Sequence, residues 1–246
     1  MTVRDFFKSL YAVMAIGWLV AVLCMVVLIV RGYGVSQEVK SLKEVVLELT
    51  NEQARYRFLS EDLMLYQDAE AYLFEYGRKH MTDEEIRMCA RIIYRFVKMY
   101  GTNGSIPIGL DLARILSWID AESGFNPDAK SYAGAIGLTQ QMPITAKDGI
   151  KRYLGRDVTI TQAVEFAKVP HQNLILGLER LVDYQQQFIE VGHASPSDWK
   201  LTFSLYQWSI QSYSNLISAG DKDIPKASLK YALDIEKRMS KFKKSE

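Results

Sequence analysis

Apolar residues along this chain of 246 residues fall into distinct regimes. Residues 10–30, LYAVMAIGWLVAVLCMVVLIV, run for 21 positions without a charge. At the helical rise per residue that is roughly 31 Å, close to the hydrocarbon thickness of a bilayer. A buried core helix usually carries a polar stripe, and this one has none. A cleaved signal peptide has a shorter apolar stretch followed by small residues, whereas Arg31-Gly32-Tyr33 follow here, and Ala21-Val22-Leu23 before Cys24 make a poor lipoprotein site. The segment predicts an uncleaved, single-pass transmembrane anchor after a short cytoplasmic N-terminus, residues 1–9. Arg4 and Lys8 on one side and Arg31, Lys40 and Lys43 on the other leave its orientation open.

Beyond the anchor, Val35, Val39, Leu42, Val46 and Leu49 alternate spacings of four and three, a heptad-like stripe. It suits either an amphipathic helix packing on its own domain or a dimer stalk. A second helix, about 56–78, carries Phe58, Leu59, Leu63, Tyr66, Tyr72 and Phe74. Thr82-Asp83-Glu84-Glu85 forms a capping box that opens a helix running to about Tyr100. All six prolines lie at or after Pro107, so the first hundred residues are poor in helix breakers. Residues 31–105 therefore predict a helical stalk closed by the linker Gly101–Ser105. From 106 to 220 the pattern predicts a compact all-α domain. Its helices are expected at 108–122, 143–153, 161–168, 171–191 and 197–216, with a long loop at 123–142. Asp157–Ile160 is the one short strand expected, so the fold is α+β at most by a strand pair. Residues 221–246 predict a basic amphipathic tail with Lys237, Arg238, Lys241, Lys243 and Lys244, either solvated or touching anionic lipid or cell-wall polymer.

Composition narrows the chemistry. Lys plus Arg (30) nearly equals Asp plus Glu (29), which argues against a nucleic-acid binder. Cys24 and Cys89 cannot build a disulfide framework, and His80, His171 and His193 lack metal-ligand spacing. No metal or cofactor is expected.

One carboxylate is out of place. At about 100° per residue, Ile108, Leu112, Ile115 and Ile119 cluster within roughly 80° of Glu122, while Asp120 points about 160° away as an ordinary solvent-facing charge. Glu122 thus extends an apolar stripe at the negative end of a helix dipole. Burial and dipole both favour its protonated form, so its pKa should rise, as a general acid requires. The alternative is a structural ion pair with an Arg or Lys. The loop that follows holds Ser131, Gly134, Ala135, Gly137 and Gln140, small residues that admit a ligand to the backbone and an amide suited to sugar hydroxyls.

In these residues the chain resembles the catalytic domain of soluble-type lytic transglycosylases, relatives of goose-type lysozyme. Their pattern is E-S-x-F-N-P-x-A-x-S-x-x-G-A-x-G-L-M-Q-x-M-P-x-T-A. Glu122 to Ser131 and Gly134 to Ala146 fit it, with Thr139 in place of the usual methionine. Pro170-His171-Gln172-Asn173 with Gly177 and Leu181 resembles the family's P-x-x-N-I-x-x-G helix. Leu205-Tyr206-Gln207-Trp208-Ser209 sits where the family has A-Y-N-A-G, keeping only the tyrosine. The likeness covers about 106–216.

The resemblance implies a lysozyme-like all-α fold and cleavage of the MurNAc–GlcNAc β-1,4 bond of peptidoglycan, with no cofactor. Glu122 would act as acid and then as base, closing a 1,6-anhydro ring. Ser123, Ser131, Gln140, Met142 and Tyr206 would bind sugars or orient Glu122; for Met142 packing into the core is an equal alternative, and Asn173 reads as a structural hydrogen-bonder. Such a domain would face the periplasmic side of the inner membrane, with an envelope protein or a second copy meeting residues 35–75. Two other functions fit the same residues: a muramidase using water, and a non-catalytic, membrane-tethered glycan-binding scaffold.

Overall fold

The computed structural model describes residues 3–30, 36–190, 192, 194–196, 198–206 and 226–242. The chain divides into two compact units, Met1–Leu65 and Tyr66–Glu246.

The first unit holds α1, Val3–Val30, and the beginning of α2, Ser36–Gly77. Side chains of α1 are described only for 14–27, and among the described residues no helix is long and apolar enough to cross a membrane. The two helices expected at 35–49 and 56–78 are one continuous helix, α2. No proline or glycine falls between Ser36 and Tyr76 to end it sooner.

The second unit is all-α among the described residues. It contains α3 (Asp83–Tyr100), α4 (Leu112–Ser123), α5 (Pro143–Leu154), α6 (Ile160–Lys168), α7 (Pro170–Glu190), α8 (Lys200–Tyr206) and α9 (Lys226–Phe242). The capping box at Thr82 and Glu85 forms as the sequence predicts, with Thr82 N donating to Glu85 Oε2 at 2.8 Å. The short strand expected at Asp157–Ile160 does not form. Thr159 instead caps α6, its hydroxyl accepting from Gln162 N at 3.2 Å, so the segment enters a helix. Lys130, Ile136 and Gln141 make only isolated bridges.

Where this unit begins and ends differs from the 106–220 domain expected. Ala69 and Leu73 of α2 and Ile86, Cys89 and Ile93 of α3 are fully buried in the same cluster as Trp118 and Ile119 of α4. These residues belong to the compact unit and not to a stalk, because their apolar stripe has a core to enter. Gly101–Ser105 is a tight turn: Ile106 N donates to Met99 O at 2.9 Å and Leu110 N to Tyr100 O at 2.9 Å. The basic tail is also structural. Ala232, Ile235, Met239 and Phe242 of α9 are buried against the core, while Lys226, Lys230 and Lys237 are exposed.

At the centre α7 passes close to α4. A Cβ on Gly177 would come within 2.6 Å of both Trp118 Cη2 and Thr139 Cβ. Gly177→Ala should therefore cost roughly 1–3 kcal/mol by forcing these groups apart. Urea unfolding measures it; an unchanged midpoint would show that α4 and α7 yield freely.

Candidate functional site

The site is built on the last turn of α4. Asp111 caps the helix start, its carboxylate accepting from Arg114 N at 2.8 Å, so the helix begins at Leu112 and not at Ile108. The helix ends at Gly124, whose φ of 59° is left-handed, and Phe125 follows at φ 63°. A bulky residue there costs about 1–3 kcal/mol. Burial of the Phe125 ring offsets that cost: it stacks on Tyr76 at 5.6 Å and meets Phe242 edge-on at 6.0 Å. This double left-handed step turns the chain away directly after Glu122 and fixes where its carboxyl sits.

Part of Glu122 stays open to solvent, although protein surrounds most of its carboxyl. Burial pushes the group up from 4.5 to about 7, against opposing effects from the Tyr231 hydroxyl and the Trp118 indole N–H. Tyr231, on α9, donates its hydroxyl hydrogen to Glu122 Oε1. The Trp118 N–H, one turn back on α4, is buried beside the carboxyl and favours its charged form. Tyr231's own hydroxyl is pushed well above its usual value by burial and then by the negative charge of Glu122. Among the described residues, no Arg or Lys pairs with Glu122.

Asp120, expected to face solvent, does not. Its side chain is 13% exposed and meets Arg238 at 2.9 Å and Lys241 at 3.2 Å. The reason is α9, which lies along α4 and brings its cations to the side of the helix away from the apolar stripe.

The other expected residues gather in or beside the loop between α4 and α5, and several are occupied within it. Ser123 Oγ donates back to Ile119 O at 3.2 Å. Ser131 Oγ accepts from Ala135 N at 3.0 Å. Gln140, at φ 48°, donates its amide to Ala129 O at 3.1 Å and Gly137 O at 2.9 Å. Met142 is 38% exposed at the entry to α5. Tyr206 packs edge-on to Trp118 at 4.9 Å, but its hydroxyl donates to Thr139 O at 2.7 Å and accepts from Gln141. The hydroxyl that meets the acid is therefore Tyr231's. Gln207, Trp208 and Ser209, expected to alter the groove wall beside Tyr206, lie outside the described residues.

A buried clamp holds this loop. Asn173 Oδ1 accepts from Thr139 N and Thr139 Oγ1, each at 2.8 Å, while its amide donates to Ile136 O at 3.0 Å and Ala167 O at 2.9 Å. The threonine that replaces the family's usual methionine thus supplies one of the clamp's hydrogen bonds.

Sequence reasoning missed Tyr231. Ser228, Ala232, Ile235, Met239 and Phe242 repeat at helical spacing, with Tyr231 on the same stripe. That periodicity marked a core-facing helix beneath the lysines.

The site is thus a glutamic acid poised near neutrality on a helix end, beside an all-α core and a glycine-rich loop. The family comparison is more specific: residues 108–208 match the Transglycosylase SLT domain. Among curated relatives, a membrane-bound lytic murein transglycosylase C of Glaesserella parasuis serovar 5 is 34% identical over 88 residues, 33% of this chain and 22% of the relative. Its namesake in Actinobacillus pleuropneumoniae serotype 5b is 32% identical over 99 residues, 40% of this chain and 24% of the relative. The chain thus spans less than a quarter of the length of these relatives. An X-ray structure of an inactive mutant of the lytic transglycosylase Slt from Pseudomonas aeruginosa aligns with a TM-score of 0.46 and 22% identity, covering 75% of this chain and 28% of that one.

The raised carboxyl has a consequence for stability. Between 4.5 and about 7 the unfolded chain releases a proton that the folded chain retains, so folding weakens as pH rises through that window and stays weakened above it. Glu122→Gln removes this dependence. Its stability relative to wild type should improve by roughly 3 kcal/mol between about pH 4 and pH 8. Urea unfolding at both pH values measures this, and a pH-independent difference would contradict the buried acid.

Proposed function

We propose that this chain is a membrane-anchored lytic transglycosylase that cleaves the MurNAc–GlcNAc β-1,4 bond of peptidoglycan and leaves a 1,6-anhydroMurNAc end. The observation that carries the reading is Glu122, buried and half-protonated near neutral pH, within a matching transglycosylase domain. Tyr231 holds Oε1, which leaves Oε2 to carry the proton. Glu122 protonates the glycosidic oxygen while the MurNAc acetamido group stabilises the cationic centre at C1. The resulting carboxylate, now accepting a stronger hydrogen bond from Tyr231, takes the proton from the C6 hydroxyl. That oxygen attacks C1 and closes the anhydro ring. One group serving as acid and then base works best with a pKa near the working pH. Tyr231 is a positioning residue in this scheme, and Ser123, Ser131, Gln140, Met142 and Tyr206 shape the loop side of the glycan groove.

Anchoring rests on the 21 uncharged residues at 10–30, on their helical conformation in α1, and on the membrane-bound naming of the relatives. The anchor is a single pass through the inner membrane, with the catalytic domain on the periplasmic side where its substrate lies.

The test is digestion of purified peptidoglycan by the full chain in detergent, with Glu122→Gln alongside, read by mass spectrometry. Anhydro-muropeptides from wild type, reduced at least a hundredfold in the variant, are the expected result. Reducing-end products, heavier by one water, would make the enzyme a muramidase. Glycan binding with no cleavage by either protein would make it a scaffold.

A further inference from the structure

α2 carries two apolar faces at different heights. With Val39 at heptad position a, the a positions from Val39 onward are Val39, Val46, Gln53 and Ser60, and the d positions are Leu42, Leu49, Tyr56 and Leu63. Valine at a with leucine at d, as in the first two heptads, is the combination that favours two parallel strands, while the polar Gln53 and Ser60 at the next two a positions cost stability. The flanking charges segregate: the g positions carry Glu38 and Glu52, the e positions Lys43 and Arg57. In a parallel pair each g residue faces the e residue of the next heptad across the seam. Glu52 then meets Arg57, which within one chain pairs with Glu61 at 2.9 Å, and Leu59 meets Met64. An antiparallel pair sets g against g and e against e, which places like charges together. Val45 and Leu59, both g, and Tyr56 at d are exposed at 47%, 47% and 37%.

Farther along, Ala69 and Leu73 enter the core of the second unit. In the same register these are positions c and g, roughly 110° around the helix from the a/d seam.

We propose that residues 36–65 pair with the same segment of a second copy as a parallel two-stranded coiled coil about 45 Å long. The charge pattern and the valine–leucine seam commit this surface to a self-pairing occupant. The proposal concerns assembly, and its test does not depend on whether glycan is cleaved.

Full-length chain in detergent, in a Cys24→Ser background that leaves only the buried Cys89, is the material. Leu49→Cys at d should form an intermolecular disulfide at least tenfold faster than Asn51→Cys at the outward f position. Sedimentation equilibrium of the unsubstituted chain should give twice the monomer mass. Glu52→Lys or Arg57→Glu alone should weaken the dimer about tenfold, and the two together should restore it. Equal disulfide rates at 49 and 51, or a monomer mass for the unsubstituted chain, would overturn the proposal.

Discussion

The carboxyl of Glu122 is buried where the last turn of α4 meets α9, and among the described residues no cation pairs with it. Burial raises its pKa to about 7, and Tyr231 offers its ionised form a single hydrogen bond. A lysine or arginine in place of Tyr231 would fix the carboxylate as an anion and end its use as an acid. The cations that α9 does bring, Arg238 and Lys241, are held on Asp120, two residues away and on another side of α4. Neighbouring carboxylates on one helix thus receive opposite treatment: one is paired with cations, the other kept near its protonation midpoint.

The loop on the other side of the acid solves a different problem. It must remain fixed, and among the described residues it has no sheet to hold it. The Asn173 clamp replaces a sheet's hydrogen bonds with four bonds from one buried side chain, and Gly137 and Gly177 let α7 approach closely enough to deliver it. Gln140 closes the loop on itself through Ala129 and Gly137. The clamp and the left-handed step at Gly124 and Phe125 make the groove wall a rigid element, which suits electrostatic preorganisation.

The sequence made the local features legible. The position of Glu122 on an apolar stripe follows from helical periodicity, and the capping box at Thr82 from side-chain chemistry three residues apart. Long-range partners were not legible. Asp120 looks solvent-facing on its own helix because its cations lie more than a hundred residues away. Tyr231 is hidden for the same reason, within a segment whose lysines drew attention from its apolar stripe. Two boundaries were misplaced because a stripe shows that a helix has a buried face and not what covers it: residues 66–100 and α9 belong to the compact unit. The serine, glutamine and tyrosine side chains expected to meet sugar do gather around the loop, with their hydrogen-bonding groups already engaged inside it.

The central claim is that Glu122 titrates near neutrality because it is buried and restrained by Tyr231. Carbon-detected NMR of glutamate side-chain carboxyls, with Glu122→Gln to assign the resonance, measures this directly. The account predicts a midpoint near 7 in the wild type and a higher one in Tyr231→Phe, which loses the hydrogen bond to the charged form. A midpoint at the ordinary value of 4.5, or one unmoved by Tyr231→Phe, would contradict it.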